Sequence, residues 1–219
     1  MKGSAPIVIA IDGPAASGKG TLARRLAQHF GLAHLDTGKL YRATALAVFD
    51  AGGDPYDAPV AENAARSLDL SRLGDRRLGG DEIARAASIV AAIPAVRAAL
   101  LEAQRAFARH PPGSAKGAVL DGRDIGTVVC PDAAVKLFVV ASVESRAERR
   151  VKELRESGAE AIYETVLQGM KERDARDSGR RAAPLSAAPD AVTIDTTLLG
   201  PDQVFERASD LIARSLARR

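Results

Sequence analysis

Ile7-Val8-Ile9-Ala10-Ile11-Asp12-Gly13-Pro14-Ala15-Ala16-Ser17-Gly18-Lys19-Gly20-Thr21 is the stretch whose reading decides the fold. Its first five residues form an unbroken apolar, mostly β-branched run, the pattern of a strand buried on both faces of a parallel sheet. Gly13 to Lys19 then fits G-x-x-x-x-G-K. Glycine lets the backbone turn tightly and approach a polyphosphate, so that several N–H groups converge on it. The helix that follows adds the partial positive charge of its N-terminus. Lys19 reaches the terminal phosphates and can follow negative charge as it moves between them. Gly13, Pro14, Ala15, Ala16, Ser17, Gly18, Lys19, Gly20 and Thr21 are therefore assigned to the binding of ATP. Gly20 stands where a magnesium-binding Ser or Thr is usual, and the hydroxyl comes one position later, at Thr21.

The same alternation continues outward. Leu22, Leu26 and Phe30 recur every four residues, which predicts a helix from Thr21 to Phe30 with Gly31 closing it. A short strand at Leu32–Leu35 and a helix at Leu40–Ala51 follow. Strand, loop and helix repeated twice imply a doubly wound α/β sheet of about five parallel strands. Between about residues 58 and 112 the rhythm breaks into Ala-rich helices, with Pro94 opening one that runs to Arg109. That segment is read as an inserted, mainly helical, substrate-binding subdomain within a single domain spanning 1–219. Strands resume at Ala118–Leu120, Val135–Val140 and Val192–Ile194. Helices are predicted from Ser145 to Glu156 and from Tyr163 to Arg176, and a last one from Pro201. An Arg-rich segment, about 157–187, is read as a lid, with Gly179 breaking the helix before Arg180.

Composition narrows the function classes. The 219 residues are 46% hydrophobic but only 4% aromatic, so aliphatic side chains must build the core. Thirty-one basic against 28 acidic residues give +3, too slight a bias for a nucleic-acid polymer without a basic, aromatic-interleaved patch. Cys130 is the single cysteine, which excludes an intrachain disulfide, and the three histidines have no zinc spacing. No apolar run approaches membrane-spanning length. A reduced, cytoplasmic, monomeric protein is the expectation.

Further constellations point to the acceptor. Asp36-Thr37-Gly38 begins a helix, so the Thr37 hydroxyl and neighbouring N–H groups can hold a phosphate, with Arg42 about one and a half turns on. An aspartic-protease reading of Asp-Thr-Gly fails for want of a second such triplet, since Asp195-Thr196-Thr197 is no copy. Asp121-Gly122-Arg123-Asp124 follows an apolar run, at the strand end where such sheets bind ligands. Arg173, Arg176, Asp177 and Arg180 fall within a narrow arc of one helix if it continues that far.

Taken together these motifs resemble the bacterial cytidylate kinases over nearly the whole chain. The resemblance is carried by Ile11–Pro14, Gly18–Thr21, Asp36–Gly38 with Tyr41-Arg42, Ala87-Ser88, Pro94 with Val96-Arg97, Asp121–Val129, and Lys171–Asp174 through Pro184-Leu185. It implies phosphoryl transfer from ATP to CMP or dCMP, with Mg²⁺ held through the ATP phosphates and no protein ligand assigned to it. By the same resemblance Ser88, Arg97 and Asp124 contact the cytosine edge, and Thr37, Arg42 and Arg123 contact the acceptor phosphate, with Asp121 beside them. Arg173 and Asp177 contact the ribose, and Arg180 is a phosphate-side arginine of the lid. Lys19, Arg173 and Arg180 are the expected catalytic residues. Two departures stand out: Thr37 replaces the family's frequent Ser, and Asp69–Asp81 is short and lacks a strand pattern. Other P-loop kinases acting on a different nucleotide or a small alcohol, and nucleotide-dependent switches, share only the phosphate loop.

Overall fold

The computed structural model describes residues 6–156 and 158–218. Residues 1–5, Ser157 at the start of the expected lid, and Arg219 lie outside the described residues.

Five parallel strands form one sheet in the order β2-β3-β1-β4-β5. They are β1 (Ile7–Asp12), β2 (Ala33–Asp36), β3 (Gly117–Gly122), β4 (Val135–Val140) and β5 (Val192–Asp195). The helices are α1 (Lys19–Phe30), α2 (Thr37–Asp50), α3 (Ala58–Arg66), α4 (Asp81–Val90), α5 (Pro94–Arg109), α6 (Val143–Glu156), α7 (Tyr163–Gly179) and α8 (Pro201–Leu216). β1 is central, and its register sets Asp12 beside Gly122 of β3 and Phe138 of β4. From β1 the chain crosses toward β2; from β3 it crosses back over β1 to β4. These opposite crossings open a crevice at the carboxyl ends of β1 and β3.

The sheet's two faces are covered as a doubly wound fold requires. On one side Leu22 and Leu26 of α1 and Val204 and Ile212 of α8 pack against Ile9, Ile11 and Leu137. On the other, Ala108 and Ile125 pack on Ala10 and Leu120. The helices between β2 and β3 have a core of their own, built on Leu40, Tyr41, Val48, Ala61, Val90, Val96 and Leu100. Residues 70–79 make two short 3-10 turns, stapled by Arg72 and Arg77 to Asp50, where the sequence showed only a Gly-rich interruption.

Helix bounds differ in part from the sequence reading. α1 begins two residues earlier than predicted, at Lys19; α2 begins at Thr37, where Asp36-Thr37-Gly38 was read as a helix start, three residues before its apolar period opens at Leu40. In both, the apolar periodicity starts only after a first turn of small and polar residues. The predicted helix ending at Arg176 runs on to Gly179, so the arc of Arg173, Arg176 and Asp177 is realised and Arg180 falls just past the helix end.

Candidate active site

The phosphate loop is shaped by glycine where no other residue fits. Gly13 has φ +152°, and a Cβ there would lie 2.1 Å from the Val139 carbonyl oxygen of β4. Gly18, at φ +87°, is the residue before α1 and offers no side chain to cap it. The first amides of α1 are thus left for an anion. Lys19 is buried and folds back on the loop, donating from Nζ to the Pro14 carbonyl at 3.0 Å. Burial, then the nearby Arg123 cation, pull its amine down to about 7. A Cβ on Gly20 would lie 3.6 Å from Asp121 Oδ2, so this glycine leaves space between the loop and the acid at the end of β3.

Asp36 caps α2, accepting from the Lys39 amide at 3.3 Å. The capping oxygen is therefore one residue earlier than the Thr37 hydroxyl, which donates instead to the Asp121 carbonyl at 2.8 Å. Asp36 and Asp121 are register partners on β2 and β3. His34 Nε2 lies 2.8 Å from Asp121 Oδ1 and fixes that carboxylate from the same side. Arg42 reaches the Leu78 carbonyl at 3.4 Å, and burial lowers its pKa. A cavity of about 580 Å³ runs from the loop past Asp36, Gly38 and Arg42 to Asp121, Arg123 and Arg173.

Asp177 collects most of the remaining predicted residues. Arg123 Nε donates to its Oδ2 at 2.9 Å, Arg180 pairs with its Oδ1, and Arg173 Nε stands 3.9 Å from Oδ2. Ser88 Oγ donates to Oδ1 at 3.3 Å. Burial pushes this carboxyl up, but the three arginines outweigh it and hold it at about 2. Arg173 is drawn down to about 9 by burial and by Arg123, and its Nε, like that of Arg180, is buried without a hydrogen-bond partner. Arg97 pairs with Asp124, donates to the Ala91 carbonyl at 3.3 Å and lies 5.5 Å from the Tyr41 ring centroid.

Several residues around the site carried no sequence motif. Arg146, Arg149 and Arg150 project from one side of α6. Arg146 donates to the Ala15 carbonyl of the loop at 3.3 Å and grips Asp174 of α7 at 2.6 and 3.1 Å. Arg149 donates to Thr196 Oγ1 at 3.0 Å, and that hydroxyl reaches the Ser17 carbonyl at 3.0 Å. Arg149, Thr196, Leu199, Pro201 and Val204 line the cavity's other end. The available signal was the i, i+3, i+4 spacing of the three arginines, which puts them on one helix face. Asp12 was also missed as a polar residue; it closes the apolar run of β1 and is 4% exposed.

A parallel sheet with a phosphate loop after its central strand, opposed by arginines from four other elements, defines a P-loop phosphotransferase. The chain matches the family profile described as "Cytidylate kinase" over residues 9–214. A cytidylate kinase of Rhodospirillum rubrum is 60% identical over 207 residues, covering 94% of this chain and 97% of the relative. One from Methylobacterium sp. (strain 4-46) is 63% identical over 185 residues, covering 84% and 86%. The chain belongs to the cytidylate kinase family. Among solved structures, an uncharacterized protein from Eubacterium ventriosum superposes with TM-score 0.54 at 17% identity, covering 95% of this chain and 99% of that one, and shares the fold. Among the described residues no single helix is long and apolar enough to cross a membrane, and no three His, Cys, Asp or Glu side chains are grouped to hold a metal.

Proposed function

We propose that this chain transfers the γ-phosphoryl group of ATP to CMP, and to dCMP, giving ADP and the nucleoside diphosphate. The observation that carries the reading is the position of Arg123-Asp124. They follow β3 at the crevice, with the phosphate loop on the neighbouring strand and the Ser88–Asp177 group opposite. Family membership supplies the acceptor's identity.

The donor's phosphates rest on the loop amides and α1, and Lys19 swings from the Pro14 carbonyl to meet them. Its amine, lowered to about 7 in the free loop, is restored to full charge by the phosphates it binds. The acceptor oxygen is already anionic, so no general base is required; the catalytic task is alignment and charge stabilisation. Arg42 and Arg123 hold the acceptor phosphate, and Arg173 and Arg180 turn from Asp177 to the phosphoryl in flight. Arg97, Asp124 and Ser88 read the base, and Asp177 takes the ribose. The carboxylates of Asp36 and Asp121 and the Thr21 hydroxyl lie at the phosphate end of the cavity. Hard oxygen donors of this type suit Mg²⁺, held mainly through ATP. When bound, Mg²⁺ would supply charge neutralisation at the transferring phosphates.

Segment 58–112 is proposed to bind the acceptor, and segment 157–187 to act as the lid. Supporting the lid, α7 buries only Met170 and Asp177. A helix with one fully buried apolar side chain, held otherwise by polar contacts such as Arg146–Asp174, has little apolar packing to resist opening. Closure excludes water, the competing acceptor. We propose that the chain acts as a monomer in the cytoplasm. ³¹P NMR of the chain with ATP, Mg²⁺ and CMP should show CDP accumulating; release of inorganic phosphate alone would refute the transfer.

A further inference from the structure

We propose that Asp12 is a positioning residue that holds the acceptor-recognition turn in register with the phosphate loop. The inference rests on the reading that Arg123 and Asp124 contact the acceptor. Asp12 ends β1 and immediately precedes Gly13 of the loop. Its two carboxylate oxygens accept separately, Oδ1 from the Ile125 amide at 2.7 Å and Oδ2 from the Gly126 amide at 2.8 Å. Those amides open the π-type turn Ile125–Val129 that follows Arg123-Asp124. Later amides of the turn bond within it, Val128 and Val129 both reaching the Asp124 carbonyl. The two opening amides rely on Asp12, and leaving them buried and unpaired is costly. One side chain thus fastens the segment that reads the acceptor to the strand end that launches the donor loop, 113 residues away.

The contact is tight on every side. A Cβ on Gly126 would stand 3.4 Å from Asp12 Oδ2 and 3.2 Å from the Lys136 stem. Charged and titratable groups around Asp12 are Asp124 and Arg123 before the turn, Cys130 at its end and Lys136 on β4, whose ammonium is paired with Asp190. Burial outweighs the two amide bonds and raises the Asp12 carboxyl to about 6. Protonation places an O–H against one of the amides, so the turn should loosen at acid pH.

Asn at position 12 keeps the shape but sets an NH₂ against one backbone N–H. Asp12→Asn should raise KM for CMP about tenfold, the size of a lost charge-assisted bond, and leave KM for ATP within about twofold. The CMP phosphate also titrates near pH 6, so the ratio of variant to unaltered KM is the quantity to follow. That ratio should fall toward one below pH 6 as the unaltered chain loses the same carboxylate. Equal shifts in both KM values, or a lowered melting temperature with unchanged KM values, would overturn the proposal. Should the variant not fold, the unaltered chain decides: its Ile125 and Gly126 amide protons should titrate together near pH 6, and pH-independent shifts there would contradict the assignment. Failure of the parent reading looks different, since the unaltered chain would then not turn over CMP at all.

Discussion

Arg123 and Asp177, 54 residues apart, meet at 2.9 Å between Nε and Oδ2 beside the proposed acceptor site. The pair joins the end of β3 to the outer helix α7. With Arg173 and Arg180 it surrounds one carboxylate with three cations. In the proposed function the acceptor phosphate would compete with this carboxylate for Arg123, and the transferring phosphoryl for Arg173 and Arg180.

Asp177 should therefore control both stability and closure. Its folded pKa of about 2 lies below the model-compound 3.8, so its contribution is present above pH 4 and is lost as pH falls toward 2. The linkage amounts to roughly 2 kcal/mol. Asp177→Asn should lower stability at pH 7 by about that amount and speed tryptic cleavage after Arg180 and Arg181. Denaturant melts that coincide with the unaltered chain at pH 7 would rule out a stabilising role for this carboxylate.

Lys19 gives the opposite sign. Its folded pKa, about 7 without nucleotide, is below the ordinary 10.5, so the unfolded chain binds more protons between those values. Stability of the nucleotide-free chain should rise with pH across that window. Lys19→Met should abolish the rise while leaving the chain at least as stable at pH 7. Turnover should fall by about 10²- to 10³-fold, as when a charge-stabilising donor is removed. Stopped turnover with an unchanged pH–stability slope would separate the catalytic role from the burial argument and refute the latter.

Ser88→Ala and Arg97→Met test base recognition. Arg97→Met strands Asp124, which is 5% exposed, without its partner. Unpaired buried donors and acceptors cost roughly 1–3 kcal/mol, so KM for CMP should rise by about 5- to 100-fold. KM for ATP should hardly move. Parallel rises in both KM values would count against a base-reading role.

Gly13→Ala tests the loop's geometry. Its Cβ would stand 2.1 Å from the Val139 carbonyl, and backbone cannot yield as a flexible side chain can. A loss of at least about 2 kcal/mol in urea unfolding is expected. An unchanged midpoint would show that the loop and β4 are not in the contact described.

Local signals were legible and distant pairings were not. The apolar run of β1, the glycines of the loop, Pro94 and the Gly179 break each act within a few residues, and the elements they mark are present. The boundary at Lys19 was missed because a first helical turn at a ligand-facing N-terminus carries no apolar period, whereas the start at Thr37 was legible from Asp36-Thr37-Gly38 although the apolar period begins only at Leu40. The residues around Asp177 were legible one by one through family resemblance. Their convergence on a single carboxylate depends on 54- and 89-residue separations that no window of sequence spans. Arg146 carried no signal beyond its place in a charged helix, yet it is 4% exposed because Asp174 and the loop carbonyl Ala15 satisfy its charge.

In the proposed function the Arg123-Asp124 turn, with Ser88 and Arg97, selects a cytosine monophosphate for a phosphoryl delivered by the Lys19 loop. Steady-state kcat/KM with ATP and Mg²⁺, measured by coupled ADP release across CMP, dCMP, UMP and AMP, tests it most directly. CMP should lead, with dCMP used and AMP at least about 100-fold poorer, the discrimination that unpaired polar groups in a hydrogen-bonding site impose. AMP or UMP used as well as CMP would contradict it.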